Sequence, residues 1–465
     1  MMRYILIIVM LLTGLFASST SRWAILSDIH VLAPTLVDSG VAATRMATGE
    51  IKLPLRSTDL LNAVTDILTT MKIDGVLVTG DLTHNGERDS HLAVASWLDS
   101  LRTHGIATLV IPGNHDVNNP LAVRYCNEQT EPVASVSPRE FASIYREAGY
   151  ATYCDPNSLS YSTQLCDGVT LIAIDSNRYN ERSYHSDGIV TDSLLGWVTD
   201  RAAEAGARGD AVVAMMHHHI VEHFDGETRI LPNYIIANHD SIASQLANSG
   251  ISHVFTGHLH ITDAASDGQL TDISTGSAIT FPFPMRVIEF SDDSIKVDTF
   301  FMENIDPVIT AEGRSHLKNG CTTLATMLSR KVWNKLTDEL TQFNHMSQLW
   351  GIDMTRLPRT EQQLKELVLK HFAVPLQDAL FTVCRGGETR EDAERIRLGF
   401  MDGIEQTLTE LFPDMSDELL PLFSDAVMKK YEPVMRSVLE DINCVGTTKE
   451  SHTDDHCFKH SLSDL

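Results

Sequence analysis

Trp23-Ala24-Ile25-Leu26-Ser27-Asp28-Ile29-His30 is a short apolar run that stops in polar residues. It reads as a buried strand whose C-terminal end carries a carboxylate and an imidazole. The same layout recurs along the chain. Gly75–Thr79 leads into Gly80-Asp81, and Thr108–Ile111 leads into Gly113-Asn114-His115-Asp116. Ala211–Met216 leads into His217-His218-His219, and Ile251–Thr256 leads into Gly257-His258-Leu259-His260. Helical signals alternate with these runs. Leu60, Leu61, Val64, Leu68 and Met71 share one face behind a Ser57 or Thr58 cap, and a helix from about Asp89 to His104 is closed by Gly105. Val169–Ile174 and Leu270–Ser274 add strands, and Met285–Glu289 with Ser294–Phe300 reads as a hairpin. From Arg22 to about Asn304 the alternation predicts an α/β domain with a mostly parallel, helix-covered sheet. Open sheets of this kind place ligand sites at the C-terminal ends of their strands, where all five polar clusters fall.

Taken singly, each cluster has an ordinary explanation. Asp-x-His is commonly a loop cap, and Gly-Asp is a common turn. Three adjacent imidazoles cannot all face one site, because side chains alternate along extended backbone. His258 and His260 are two residues apart and can point the same way. Together the clusters form an ordered set in which every donor is oxygen or imidazole and none is a thiolate. Two divalent cations ~3.5–4 Å apart need roughly four protein ligands each, with one carboxylate able to bridge. Asp28, His30, Asp81, Asn114, one His of the triplet, His258 and His260 supply that number, with Asp81 as the natural bridge. Mixed imidazole, carboxylate and amide oxygen suits Mn, Fe or Zn rather than Ca or Cu(I).

This order (D-x-H, G-D, G-N-H-[D/E], H, G-H-x-H) resembles the calcineurin-like metallophosphoesterase superfamily over about Arg22 to Asn304. The resemblance implies an α/β/β/α sandwich binding two divalent or trivalent metal ions. Asp28, His30 and His260 then correspond to ligands of the first metal, and Asn114, His218 and His258 to ligands of the second. Asp81 corresponds to the bridge. His218 is preferred within the triplet because the family ligand is usually followed by one residue and then Pro. Ile220 replaces that Pro, which leaves His217 as the alternative. His219 and His223 read as pocket rim or surface. The implied reaction is attack of a metal-bridging hydroxide on phosphorus, with His115 as general acid and Asp116 holding its surroundings.

The segment after the bridging Asp narrows the substrate. Protein Ser/Thr phosphatases of the superfamily carry G-D-x-x-D-R-G, whose Arg clamps a monoester dianion. Here Gly80-Asp81-Leu82-Thr83-His84-Asn85-Gly86 lacks both that Asp and that Arg. The run resembles bacterial class III cyclic nucleotide phosphodiesterases, which implies a phosphodiesterase acting on a small diester. A phosphomonoesterase or nucleotidase, and a metal-binding scaffold acting through its helical part, are the alternative readings. His84 and Asn85 read either as phosphate contacts or as a helix-capping loop.

The flanks carry their own signals. Arg3, the apolar run Ile5–Phe16 and small residues Ala17–Ser19 have the layout of a signal peptide over 1–19, which predicts export to the periplasm or medium. The run is shorter than the ~20 residues of a membrane span, and no other span is expected. The 465 residues include 36 Lys+Arg and 62 Asp+Glu, a net charge of −26. That excess argues against nucleic-acid polymers, which require clustered cations. A small phosphate ester meeting bound metals escapes the objection. After a polar linker, Asp306–Gly313, strand signals stop. Ile396, Phe400, Ile404, Leu408 and Phe412 form a helical stripe behind Thr389 and before Pro413. Residues 314–443 read as a separate helical domain, with a helical stretch from Ser416 towards Asn443, and 445–465 as a polar, disordered tail. The seven Cys form no CxxC pair; Cys154 with Cys166, and Cys444 with Cys457, are candidate disulfides.

Overall fold

The structure, a computed structural model, describes residues 20–413 apart from 182, 292–293, 351–356 and 387–388, together with 424–425, 428–429 and 457–461. The expected signal peptide and the Cys444 pairing lie outside these residues, as does the helical stretch after Ser416 except at 424–425 and 428–429, which are helical.

Two mixed sheets stack face to face, rather than the single mostly parallel sheet that strand–helix alternation suggested. In the first, β1 (Ser21–Leu26), β2 (Gly75–Val78) and β3 (Ala107–Val110) run parallel. The hairpin of β13 (Pro284–Ser291) and β14 (Ser294–Phe301) extends this sheet antiparallel beside β1. In the second, β8 (Val169–Ile174), β9 (Ala211–Met216), β10 (Ile251–Thr256) and β12 (Thr271–Ser274) run parallel. Antiparallel edges β11 (Asp263–Ser266), β7 (Tyr161–Cys166) and β6 (Tyr153–Cys154) complete it. A separate two-stranded ribbon comprises β4 (Val123–Cys126) and β5 (Gln129–Pro132).

Two-residue alternation builds the layers. Trp23 and Ile25 of β1, Leu77 of β2, Leu171 and Ala173 of β8, and Val213 and Met215 of β9 meet between the sheets. The intervening Ala24, Leu26, Val76 and Val78 face outward onto helices Ser57–Met71 and Arg88–Thr103. Ile172, Ile174, Val212 and Ala214 pack on helices Asp192–Arg208 and His239–Asn248. The central strands β1, β2, β8, β9 and β10 are therefore buried on both sides, which is why their sequences read as nearly continuous apolar runs. The result is an α/β/β/α sandwich.

The helical part is not set off by a linker. A helix already begins at Pro307 and runs to Trp350, followed by helices Glu361–Arg385 and Arg390–Leu411, the last opened by a Thr389–Asp392 capping box. Ile309 and Leu317 are buried in the same cluster as β1 and β2, so the proposed linker is a docked first turn. Ile396 of the stripe is fully buried among Ala379, Val383 and Phe400. Helix Glu361–Arg385 is long and apolar enough to cross a membrane by length and composition, contrary to the expectation of no such stretch. Leu364, Leu376 and Cys384 on it are buried against neighbouring elements. The tail is not wholly irregular either: β15 (Cys457–Ser461) pairs antiparallel with β14. Cys154 and Cys166 are free thiols. Cys154 pairs with Tyr161, five residues before Cys166, which puts the two thiols roughly 16 Å apart along the ladder.

Candidate metal centre

The C-terminal ends of β1, β2 and β3 in one sheet, and of β9 and β10 in the other, open at the same edge of the sandwich. Backbone bonds sew these ends together. Asp28 N donates to Gly80 C=O, His30 N to Asp81 C=O, and Gly257 N to His217 C=O (3.1, 2.9 and 3.0 Å). The turns are tight. Asp28, His30, Asp81, His258 and His260 all adopt positive φ, between 35° and 70°, and they make up five of the nine such non-glycine residues among those described. Each such conformation costs on the order of 1–3 kcal/mol and persists where the surroundings impose it, typically at functional sites. Glycine is obligatory where the loops touch: a Cβ on Gly257 would sit 1.8 Å from Ser27 Oγ, and one on Gly113 2.2 Å from Asp81 Oδ1.

Two groups of donors meet around Asp81. On one side, His30 Nε2 lies 3.5 Å from Asp81 Oδ2, 3.7 Å from Asp28 Oδ1 and 3.3 Å from His260 Nε2. Asp28 Oδ1 is 3.1 Å from His260 Nε2. On the other side, His217 Nε2 lies 3.4 Å from Asp81 Oδ1 and 3.1 Å from Asn114 Oδ1. His258 joins this group; its candidate ligand atom and those of Asp81 and His217 fall within 4.8 Å of one another. His115 faces the centre with Nε2 3.9 Å from Asp81 Oδ2.

Hydrogen bonds fix which nitrogen each imidazole presents, since a carbonyl only accepts. His217 Nδ1–H donates to Thr79 C=O (2.9 Å), leaving Nε2 for the centre. His258 Nε2–H donates to Asn233 C=O (3.0 Å), leaving Nδ1. His115 Nδ1–H donates to His84 C=O (2.7 Å) and lies 3.1 Å from Asn85 Oδ1. Asn114 Nδ2 donates to Tyr184 OH (2.8 Å), which turns its Oδ1 towards His217. Such outer partners commonly orient metal-ligating imidazoles.

His218, the expected ligand, faces elsewhere. Its Nε2–H donates to Ser186 C=O (3.1 Å) and its Nδ1 accepts from Ser176 Oγ (2.8 Å), so neither nitrogen has a lone pair for the centre. Alternation along the extended triplet turns His217 inward instead. Asp116 lies among the surroundings of His115, as expected of it, without touching the ring. Its carboxylate accepts from Leu82 N, Thr83 N, Thr83 Oγ1 and Gly113 N (2.8–3.0 Å), clasping two loops rather than His115. His115 is held by His84 and Asn85. His219 and His223 are not surface. His219 Nδ1 contacts the buried Glu227 (2.8 Å), whereas His223, whose Nδ1 contacts Asp263 (2.7 Å), lines the cavity as the pocket-rim reading expected.

The electrostatics follow from crowding. Burial alone would raise Asp28 and Asp81. His260 outweighs it at Asp28, and His217, His115 and His30 outweigh it at Asp81, holding both carboxyls below the ordinary range. Burial favours neutral His217, but Asp81 and Asp28 prevail and push it up to about 9. Burial and then His217 push His258 down to about 3. Burial, then Asp81, push Asp116 up to about 7.

The donor set fits metal ions. Asp28 Oδ1, which faces His30 Nε2 and His260 Nε2, is buried with no aligned hydrogen-bond partner. His217 Nε2, Asp81 Oδ1 and Asn114 Oδ1 converge as three acceptors, which only a proton or a cation can reconcile. All donors are nitrogen or oxygen, as borderline divalent cations prefer.

The calcineurin-like phosphoesterase family model matches residues 21–262. The chain belongs to the calcineurin-like phosphoesterase family. A probable cyclic nucleotide phosphodiesterase of Rhodopseudomonas palustris is 26% identical over 186 residues, which are 40% of this chain and 56% of that relative. A second, from Vesicomyosocius okutanii, is 37% identical over 65 residues, 14% of this chain and 27% of its own. The chain thus spans just over half, and about a quarter, of these relatives. Among solved structures, a dimetal phosphatase from Danio rerio is similar at 14% identity and a TM-score of 0.45, over 60% of this chain and 95% of its own. The family is one of phosphoesterases, and the Asp/His clusters of this chain suit metal ions.

Sequence reading missed Tyr184, Asn233 and Tyr234, which come from irregular loops. Tyr184 orients Asn114, the Asn233 carbonyl orients His258, and the Tyr234 ring packs 4.7 Å from that of His258. A carbonyl's role leaves no mark on residue type, and a lone Tyr in a polar loop has no periodicity to betray it.

Proposed function

We propose that the protein is a dinuclear phosphodiesterase acting on a small diester, with one metal held by Asp28, His30 and His260, the other by Asn114, His217 and His258, and Asp81 between them. The carrying observation is the placement of Asp81, whose two carboxylate oxygens face the two imidazole groups at 3.5 and 3.4 Å. When bound, two cations would offset phosphoryl charge and activate water as nucleophile. The chain's own residues do the rest. Asn114, fixed by Tyr184, contributes a neutral oxygen rather than another charge. His115 is anchored through Nδ1–H and presents Nε2 to the cavity; burial lowers its pKa, so it would give a proton to the departing oxygen only from the imidazolium form.

A diester is favoured over a monoester by the scarcity of other cations. Of the cavity-lining residues described, Lys52 is the one Lys or Arg, and its ammonium lies 3.7 Å from Glu50. A dianion has no Arg fork to clamp it. Cyclic nucleotides are one candidate, in line with the names of the matched relatives. Export, through residues 1–19, belongs to the same proposal. The test compares turnover of bis-p-nitrophenyl phosphate and p-nitrophenyl phosphate by protein loaded with Mn²⁺, with metal counted in the same sample. Diester preference with two metals per chain is expected; strong monoester preference overturns the reading.

A further inference from the structure

The cavity over the metal centre has two unlike faces. Its floor is the imidazole and carboxylate cluster. Its opposite wall comes from the helical layer: Leu324 and Met327 on helix Pro307–Trp350, and Leu380 and Val383 on helix Glu361–Arg385. Ile51 and Ile261 of the sandwich continue the same apolar surface. The volume is about 670 Å³, the size of a site for a whole small molecule rather than for a phosphoryl group alone.

The wall is fixed against the site. Thr262, two residues beyond His260, donates through N to Val383 C=O (3.3 Å) and through Oγ1 to Cys384 C=O (2.9 Å). Gly386 follows at φ 73°, where a Cβ would lie 1.8 Å from Thr262 O, so the two backbones are in contact. Phe381 stacks on Phe281 at 5.8 Å. Met327 is 47% exposed, as suits a side chain facing an open cavity, and its thioether adapts to varied shapes.

We propose that this wall binds an apolar ester arm of the substrate, an alkyl or aryl group lying on Leu324, Met327, Leu380 and Val383 while the phosphoryl group lies on the floor. The proposal rests on the phosphodiesterase reading above and names the substrate class of that same site. These four side chains offer no strong hydrogen-bonding group with which to read a polar headgroup or base edge. What they reward is apolar surface, and each methylene removed from water is worth roughly three- to fourfold in kcat/KM.

The experiment uses the full-length, metal-loaded protein and a series of p-nitrophenyl alkyl phosphates (methyl, butyl, octyl), kept below their aggregation concentrations. The leaving group is constant and only the arm varies. The expected result is kcat/KM rising with chain length, mainly through KM. That slope should flatten in Leu380→Ser and in the exposed-site variant Met327→Ser, with metal content unchanged. Leu398→Ser, on an exposed position of helix Arg390–Leu411 outside the cavity, should keep the wild-type slope. Equal kcat/KM along the wild-type series, or a slope unchanged in both cavity variants, overturns the inference while leaving the phosphodiesterase reading standing. If no member turns over, that reading fails. Calorimetric binding of the methyl and octyl esters then decides the wall on its own: tighter octyl binding supports it, and equal affinity overturns it.

Discussion

His217 and His218 are adjacent, equally buried and chemically identical, yet only one presents a lone pair to the centre. The difference lies in their partners: a carbonyl on Nδ1 leaves Nε2 of His217 available, whereas His218 has both nitrogens engaged. His217→Ala should therefore lower bound metal from about two per chain to about one and cut turnover ~100-fold or more. His218→Ala should keep the metal and lose ~10-fold at most, as outer-sphere changes commonly do. Metal analysis with turnover on both variants checks this. Asn85 belongs to the same scale. It lies 3.1 Å from the anchored nitrogen of His115, so Asn85→Ala should lower kcat ~10-fold with metal content and KM unchanged, as read from steady-state kinetics.

At the scale of the element, the loop after β2 does three jobs in a few residues. It delivers Asp81, anchors His115 through the His84 carbonyl, and buries Glu87, whose Oε2 accepts from Asn85 N (3.0 Å). Burial pushes the Glu87 carboxyl up to about 7. A carboxyl raised in the folded state binds its proton more tightly there than in the unfolded chain, so stability falls as pH rises. The window runs from the ordinary value near 4.5 to about 7. Glu87→Gln removes the titration. The variant should be more stable than wild type at pH 8, by ~1–3 kcal/mol, with the gap closing towards pH 4.5; urea unfolding across that range reads it. The turns at the other strand ends tolerate less. Gly257→Ala would drive a methyl into Ser27 Oγ and to 2.6 Å from Asp28 Oδ2. It should abolish metal binding at the Asp28 side, measured by titration of the apoprotein, since backbone and carboxylate cannot both move aside. This is also where the sequence was most legible. β8, β9 and β10 begin and end where their apolar runs do. β6, β7 and β11 carry too few apolar residues to stand out as runs.

At the scale of the whole molecule, the helical layer and the sandwich share a core. Leu317 is 3% exposed within the cluster of β1 and β2, and Arg56 holds Glu312 with two bonds of 2.8 Å. The described residues should unfold in one transition, not two. Leu317→Ala should lower the stability of that single transition by ~2–4 kcal/mol, followed by circular dichroism together with tryptophan fluorescence. A second, independent melting step would contradict the shared core. Removing everything from Arg314 onward would uncover Phe281 and Phe283, which are buried in that cluster, so point substitutions test the helical wall better than truncation.

The sequence by itself determined the donors. Five apolar runs ending in Asp, Asn and His specify strand ends bearing a metal-type ligand set, because strand burial and ligand chemistry are both written in residue type. Tertiary structure alone decided what depends on direction and distance. It divided the strands into two sheets, turned His217 inward and His218 away, gave Asp116 to the backbone, and laid the helices over the site. Those outcomes rest on hydrogen-bond partners and packing contacts tens to hundreds of residues away in the chain, such as Thr262 with Cys384 and His258 with Asp28, and no local pattern encodes them.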